Sequence, residues 1–104
     1  MSETGQPTSN GPDVARIVKR VADAFGVSEK EIHGSSRLRR VLVPRQVAMY
    51  LAREVGKLSL PRIGAAFGGR DHTTVMHACR KVELDMEADA ALAGRVRQLR
   101  SELG

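Results

Sequence analysis

The side chains best suited to polar recognition are concentrated between Phe67 and Lys81. Two glycines, Gly68 and Gly69, are followed there by Arg-Asp-His-Thr-Thr at positions 70–74. Adjacent glycines interrupt a helical pattern, and an aspartate followed by small polar residues is typical of a helix start. The first turn of a helix has free backbone N–H groups that suit phosphate, and its side chains can bond to base edges. The pattern predicts a turn leading into a helix that enters the major groove of duplex DNA.

Each side chain of this first turn has a matching chemistry on DNA. Asp71 can accept a hydrogen bond from the amino group of cytosine, and His72 can donate to guanine or thymine acceptors. The methyl group of Thr73 can pack on a thymine methyl, while Thr74 and the preceding Arg70 are placed to contact phosphate. In a simpler interpretation Asp71 only caps the helix and both threonines are ordinary first-turn residues. The spacing by itself does not distinguish the DNA-binding interpretation from the capping interpretation.

The distribution of charge favours DNA. The chain has 104 residues and a formal net charge of +5, yet residues 34–81 alone contain ten Lys/Arg and two Asp/Glu. A polyanion-binding surface explains such a concentration. The basic residues of this part are Arg37, Arg39, Arg40, Arg45, Arg53, Lys57, Arg62, Arg70, Arg80 and Lys81.

No residue pattern predicts a catalytic, cofactor or metal site. His72 and His77 are separated by about 140° around a helix, so they do not share a face, and His33 lies elsewhere. The chain has no phosphate-binding Gly-x-x-x-x-Gly-Lys-Ser/Thr motif. Its one cysteine, Cys79, has apolar neighbours and is expected to be a small core residue. We therefore expect a protein that is not an enzyme and needs no cofactor or metal.

Helical periodicity and caps predict the first two helices. The first helix is expected to start at Pro12 and to end at Gly26 in a left-handed cap. The capping box formed by Ser28 and Glu31 predicts a short second helix over about 28–33.

A basic loop and a longer helix are expected next. Residues 35–43 are predicted to be a loop that carries Arg37 and two further arginines. Pro44 is expected to start the next helix and Gly56 to end it.

Three further helices are predicted, over about 59–67, 71–86 and 89–103, with Ser59 as the cap of the first. The first two are joined by a tight glycine turn, which is a helix-turn-helix layout at about 59–86. Residues 1–11 are expected to be a disordered leader and 12–104 a single all-α, compact DNA-binding domain without a sheet.

Three segments closely resemble the C-terminal DNA-binding domain of the bacterial replication initiator DnaA. The resemblance covers about residues 13–103 and rests on Pro44-Arg-Gln-Val-Ala-Met-Tyr-Leu51, Ser59-Leu-Pro-x-Ile-Gly64 and Phe67-Gly-Gly-Arg-Asp-His-Thr-Thr-Val-x-His-Ala78. It implies a TrpR-like helical domain of the DnaA C-terminal type. It also implies sequence-specific binding to duplex DNA at DnaA boxes, with a consensus close to TTATCCACA.

The resemblance also implies a role for individual residues. Arg37 matches the loop arginine that reaches into the minor groove. Arg45 and Gln46 match positions at the start of the long helix that approach DNA, and Arg53 stands at a basic phosphate contact.

The helix-turn-helix supplies the remaining implied contacts. Leu60 and Pro61 match backbone-contacting positions of its first helix. The implied major-groove contacts are Asp71, His72 and Thr73, with Thr74 and His77 as nearby contacts.

A full initiator of this family also has an AAA+ ATPase module and an N-terminal interaction domain, which this sequence does not contain. Both an excised domain and a stand-alone protein that begins at Met1 are consistent with the sequence. A stand-alone protein could occupy boxes without melting DNA. It could instead contact the initiator itself, and four acidic residues motivate that alternative: Glu83, Asp85, Glu87 and Asp89.

The remaining expectations concern location and assembly. There is no signal-peptide pattern and no apolar run approaching the ~18 residues of a membrane span. We expect a cytoplasmic, nucleoid-associated protein. We also expect a monomer, since the tail after the last helix is too short for an added interface helix or zipper.

Overall fold

Six helices make up the part of the chain that the structure, a computed structural model, describes, residues 13–104. They are α1 (Val14–Phe25), α2 (Glu29–His33), α3 (Arg39–Glu54), α4 (Leu60–Ala66), α5 (His72–Ala88) and α6 (Ala90–Leu103). Within these residues there is no strand, and the all-α prediction is confirmed. The leader predicted at 1–11, and Pro12, lie outside the described residues.

The predicted Gly26 end of α1 and the capping box of α2 are confirmed, while α1 begins at Val14, with Asp13 as its N-cap, instead of at Pro12. The Asp13 carboxylate accepts a hydrogen bond from the Arg16 N–H at 2.9 Å, and Gly26 ends α1 with a left-handed φ of 69°. At α2, the Ser28 hydroxyl accepts from the Glu31 N–H at 2.9 Å, and the Glu31 carboxylate accepts from the Ser28 N–H at 3.0 Å. Both halves of the capping box are therefore formed.

The prediction for the start of α3 is wrong. The helix begins at Arg39, and Pro44 lies inside it. A proline inside a helix removes one hydrogen bond to the carbonyl four residues earlier, and its ring crowds that carbonyl, at a cost of about 3 kcal/mol. The extra turn buries Val41 completely, and its N–H donates to the Leu38 carbonyl at 2.9 Å. Arg39 and Arg40 therefore lie on the first turn of a helix rather than in a loop.

The core is aliphatic and lies between α3 and the helices around it. α5 packs against α3, α4 and α6, while α1 packs against α3 and α6. Cys79 is 1% exposed, and burial raises the pKa of its thiol, so its prediction as a small core residue is confirmed. The largest fully buried side chains are Phe67, Ile17, Ile32, Met49, Leu51, Ile63, Leu99, Val18, Val21, Val41, Val47 and Val75.

The turn between α4 and α5 needs its two glycines. Gly68 and Gly69 have φ values of 86° and 75°, a left-handed conformation that costs other residues free energy. Just before them, the Phe67 side chain is fully buried, and its ring lies 5.5 Å from that of His33. The turn is thereby packed against the end of α2.

A close approach fixes α4 relative to the start of α5. The Arg70 N–H donates to the Gly64 carbonyl at 2.8 Å. A Cβ atom at Gly64 would lie 2.1 Å from the Arg70 carbonyl oxygen, so the backbones can approach only at a glycine. The helix-turn-helix thus matches its prediction, with α5 extending to Ala88 instead of 86.

Candidate nucleic-acid interface

The amino terminus of α5 presents Asp71 and His72 to solvent. Their side chains are 64% and 60% exposed, and the Asp71 carboxylate lies 3.3 Å from His72 Nδ1. Asp71 occupies the N-cap position, but its side chain forms no capping hydrogen bond. It accepts instead from the Thr73 hydroxyl, which holds the pKa of the Asp71 carboxyl below its usual range. Asp71 thus stands at the N-cap position of α5 while its carboxylate is bonded to the Thr73 side chain.

The next polar residues of α5 divide between two environments. Thr73 is half-buried, and its hydroxyl proton is used by Asp71. Thr74 and His77 are exposed. Together with Lys81 they follow a spacing of three and four residues, which places them on one face of the helix.

That face of α5 forms one wall of a groove with α3. The groove has a volume of about 380 Å³. Its lining contains cations, neutral hydrogen-bonding groups and apolar side chains but no carboxylate, which suits an oxyanion such as phosphate. The lining residues are Leu42, Arg45, Gln46, Met49, Arg70, Thr74, His77, Ala78 and Lys81.

Arg45, one of the expected DNA-approaching residues, lines this groove but is almost completely buried. It is 3% exposed, and the ends of its side chain are used inside the protein. Nε donates to the Ile32 carbonyl at 2.8 Å, and the terminal nitrogens donate to the carbonyls of Glu31 and Ser36 at 2.8 and 2.7 Å. Arg45 is therefore a structural contact of the loop as well as part of the groove lining, and its approach to DNA stays a prediction.

The Arg70 side chain is also bonded within the protein. Its guanidinium donates to the Gly34 carbonyl, and its Nε is buried without a hydrogen-bond partner. The side chain is only partly buried and still lines the groove between α3 and α5. Arg70 therefore contributes positive charge to the groove while it holds the α2–α3 loop.

The same loop carries Arg37. Arg37 is exposed, and the neighbouring Leu38 is 61% exposed. Because Gly34 is bonded to Arg70, which directly precedes the first turn of α5, the loop with Arg37 lies beside the helix-turn-helix. The structure thus brings together the residues expected in the two grooves of DNA.

The remaining expected residues lie along α3 and at the start of α4. Arg53 is exposed in the last turn of α3, and Gln46 is half-buried on the groove. At α4, Leu60 is half-buried and Pro61 exposed. Ser59 caps this helix by accepting from the Arg62 N–H at 3.3 Å.

The burial of Arg45 had a signal in the sequence that was missed. Val41, Arg45, Ala48 and Ala52 recur at helical spacing, and all four are buried. The pattern is hidden if the helix is taken to begin at Pro44. The sequence also contains a signal for Lys81, because its spacing from Thr74 and His77 places all three side chains on the groove.

Two of the four acidic residues behind the protein-contact alternative have local partners. The Asp85 carboxylate accepts from Lys81 Nζ at 2.6 Å. The Asp89 carboxylate caps α6 by accepting from the N–H groups of Ala91 and Leu92, both at 3.1 Å. These contacts within the chain account for Asp85 and Asp89, so neither residue requires a partner protein.

The described residues form neither a metal-binding cluster nor a membrane-spanning helix. From 13 to 104, no group of three or more His, Cys, Asp or Glu side chains is arranged to hold a metal ion. None of the six helices is both long and apolar enough to cross a bilayer.

Two helices joined by a tight turn, with the second exposing a polar first turn beside a basic groove, define a helix-turn-helix DNA-binding domain. The chain belongs to a particular family of this class. The family model described as the bacterial dnaA protein helix-turn-helix matches residues 14–82.

Relatives of known name support the assignment. The chain is 46% identical over 100 residues to the chromosomal replication initiator protein DnaA of Thermus thermophilus, covering 96% of this chain and 23% of the relative. It is 44% identical over 95 residues to the protein of the same name from Lactobacillus delbrueckii subsp. bulgaricus, covering 91% and 21%. The chain thus spans less than a quarter of the length of these relatives.

A solved structure agrees with the fold. It is a crystal structure of a DNA replication initiation factor, matched with a TM-score of 0.74 and 33% sequence identity. The match covers 88% of this chain and 29% of the other. The helical architecture of the DnaA C-terminal type is therefore confirmed.

Proposed function

We propose that the domain binds duplex DNA specifically at DnaA-box-like sites and serves replication initiation or its regulation. The observation that carries the proposal is the amino terminus of α5. Asp71 and His72 are exposed there beside a groove without carboxylates. A helix end of this kind combines base-reading side chains with phosphate-binding backbone and side-chain groups.

Base recognition in the major groove falls to Asp71, His72 and Thr73. His72 donates to a base acceptor and Asp71 accepts from a cytosine amino group. The Thr73 hydroxyl is already bonded to Asp71, so Thr73 meets a base mainly through its methyl group. The same bond fixes the Asp71 carboxylate before DNA arrives, which reduces the ordering cost of binding.

Phosphate contacts surround these residues. Thr74, His77, Gln46 and Lys81 donate to a phosphate seated in the groove, where Arg70 adds positive charge. The other proposed backbone contacts are Arg53 on α3 and Leu60 and Pro61 at the start of α4. Such contacts fix the orientation of the protein on DNA but carry no sequence information.

Arg37 supplies the contact in the minor groove. Its exposure and its place on a loop beside α5 let one domain bind both grooves of the same site. An arginine in the narrow minor groove responds to its negative potential and so favours A·T-rich sequence.

A titration by fluorescence anisotropy tests the proposal. Box DNA and a scrambled duplex of the same composition are compared at two salt concentrations, with the full chain as a monomer verified by sedimentation. We expect tighter binding of the box at both concentrations, and weaker binding of both duplexes as salt increases. Equal affinity for the two duplexes would refute sequence-specific binding.

Regulation by protein contact is the alternative function, with the replication initiator as partner. It accounts for the exposed Glu83 and Glu87, the two acidic residues of that face not explained by the contacts of Asp85 and Asp89. Co-purification with the initiator that survives nuclease treatment and high salt would favour this role. Loss of the initiator under those conditions would favour DNA binding as the function. We propose that this binding takes place in the cytoplasm, on the nucleoid.

A further inference from the structure

Two arginines donate hydrogen bonds to four backbone carbonyls between residues 31 and 36, around the end of α2. Arg45 donates to the carbonyls of Glu31, Ile32 and Ser36 at 2.7 to 2.8 Å. Arg70 donates to the carbonyl of Gly34. The segment 31–36 is therefore held from α3 on one side and from the helix-turn-helix on the other.

The buried charge of Arg45 is balanced by these carbonyls. Among its bonded partners there is no carboxylate, but the last carbonyls of a helix carry the negative end of the helix dipole. Burial, and secondarily the charge of Arg70, lowers the pKa of Arg45, yet a guanidinium stays protonated. Its planar fork reaches three acceptors at once, which the compact ammonium of lysine cannot do.

The fastened segment leads directly to Arg37. On one side, the Ser36 carbonyl is held by Arg45. On the other side, the Leu38 N–H donates to the Ser36 hydroxyl at 3.2 Å, and the Leu38 carbonyl accepts from the Val41 N–H at 2.9 Å. The backbone of Arg37 is thus fixed at both neighbours while its side chain remains exposed.

We infer that Arg45, assisted by Arg70, is a positioning residue that sets the place of Arg37 relative to α5. The inference rests on the proposed function, in which Arg37 enters the minor groove. Three of the five guanidinium N–H groups of Arg45 are bonded to the loop, so this positioning role requires no contact between Arg45 and DNA. Fixing the loop in advance lowers the conformational cost of contacting two grooves together.

Replacement of Arg45 by lysine separates positioning from a phosphate contact. Lysine keeps the charge, so a phosphate contact would retain most of its affinity, whereas the loop would lose at least two of its three hydrogen bonds. We expect Arg45→Lys to weaken binding of box DNA about tenfold, which corresponds to roughly 1.4 kcal/mol. Arg97→Lys on α6 is the matched control and should bind as the wild type does.

A double-mutant cycle with Arg37→Ala shows whether the effect passes through Arg37. Positioning predicts that Arg45→Lys causes little further loss once Arg37 is alanine. Amide hydrogen exchange of the free protein should also become faster at residues 36–38 in Arg45→Lys. If that variant does not fold, Arg70→Lys replaces it in the same cycle, with the same expected coupling.

The outcomes distinguish this inference from the function it rests on. If the wild type does not prefer box DNA, the proposed function is wrong. If the wild type prefers the box but the lysine variants bind equally well, or lose affinity independently of Arg37, only the positioning role is wrong.

Discussion

Neighbouring residues in the run from Phe67 to Lys81 have different tasks because they face different surroundings. Val75 and Cys79 face the core and are at most 1% exposed. Asp71 and His72, only a few residues away, are more than half exposed. A substitution in this run therefore affects stability or DNA binding according to the face it alters.

Truncation of the base-contacting side chains should reduce specificity. We predict that His72→Ala or Thr73→Ala costs about 1–3 kcal/mol on box DNA and less on scrambled DNA. Anisotropy titrations of both duplexes measure the difference. Because Thr73 is half-buried, its variant needs a melting curve beside it, and an equal loss on both duplexes would speak against base contact.

Arg53 should contribute to DNA affinity regardless of the base sequence of the duplex. Arg53→Ala is predicted to weaken binding of box and scrambled DNA alike and to reduce the slope of log affinity against log salt by about 0.9. Titrations at four or more salt concentrations give the slope. A change in sequence preference with an unchanged slope would show that Arg53 is not a phosphate contact.

Among the elements, the junction of α4 and α5 is the most constrained. A methyl group at Gly64 would collide with the backbone oxygen of Arg70, a neighbour that cannot rotate away. We predict that Gly64→Ala destabilises the domain by about 1–3 kcal/mol or more. Gly94→Ala is the control, because nothing lies within 4 Å of its added Cβ in the interior of α6.

These two glycine variants should change stability in opposite directions. Alanine is favoured over glycine in a helix interior, so Gly94→Ala should stabilise by about 0.5–1 kcal/mol. Chemical denaturation measures both variants under the same conditions. Equal stability of Gly64→Ala and the wild type would mean that the two helices can separate at no cost.

The short helix α2 should give the domain an acid dependence. Hydrogen bonding from the Ser28 N–H and then from Arg40 lowers the pKa of the Glu31 carboxyl below its ordinary 4.5. A group whose pKa is lower in the folded state stabilises above its unfolded pKa, and this contribution is lost as the pH falls through the folded pKa. The melting temperature should therefore decrease less between pH 6 and pH 3 in Glu31→Gln than in the wild type. Glu29→Gln, in the same turn, should follow the wild type.

The sequence predicted the elements whose signals are local. The end of α1 at Gly26 and the capping box of α2 were predicted correctly, because caps involve residues within one helical turn of each other. The start of α3 was misplaced because proline is favoured at a first helical position but is also tolerated inside a helix at a moderate cost. Burial of Val41 determines the outcome, and that burial depends on the packed domain.

In the candidate site, too, the sequence predicted only what depends on residues close together in the chain. The exposed first turn of α5 followed from residues 67–74 alone. The inward turn of Arg45 and Arg70 depends on carbonyls that are 9 to 36 positions away in the chain. Charge and family resemblance therefore indicated a DNA contact for Arg45, and only the fold adds its three bonds to the loop.

At the scale of the whole molecule, three separate stretches of sequence converge on one face. The loop with Arg37, the groove wall on α3 and the first turn of α5 are linked by the contacts of Arg45 and Arg70. In the proposed function, this face contacts two grooves of one DNA site. The chain itself spans about a quarter of the length of the relatives.

The central claim is that this single domain reads two parts of one site. The most direct test measures the affinity of the full chain for a set of box duplexes, each with one base pair changed. The account predicts large losses in two separate blocks, one contacted by α5 in the major groove and one contacted by Arg37 in the minor groove. In Arg37→Ala, only the second block should become insensitive. A profile in which every substitution has the same small effect, in both proteins, would contradict the account.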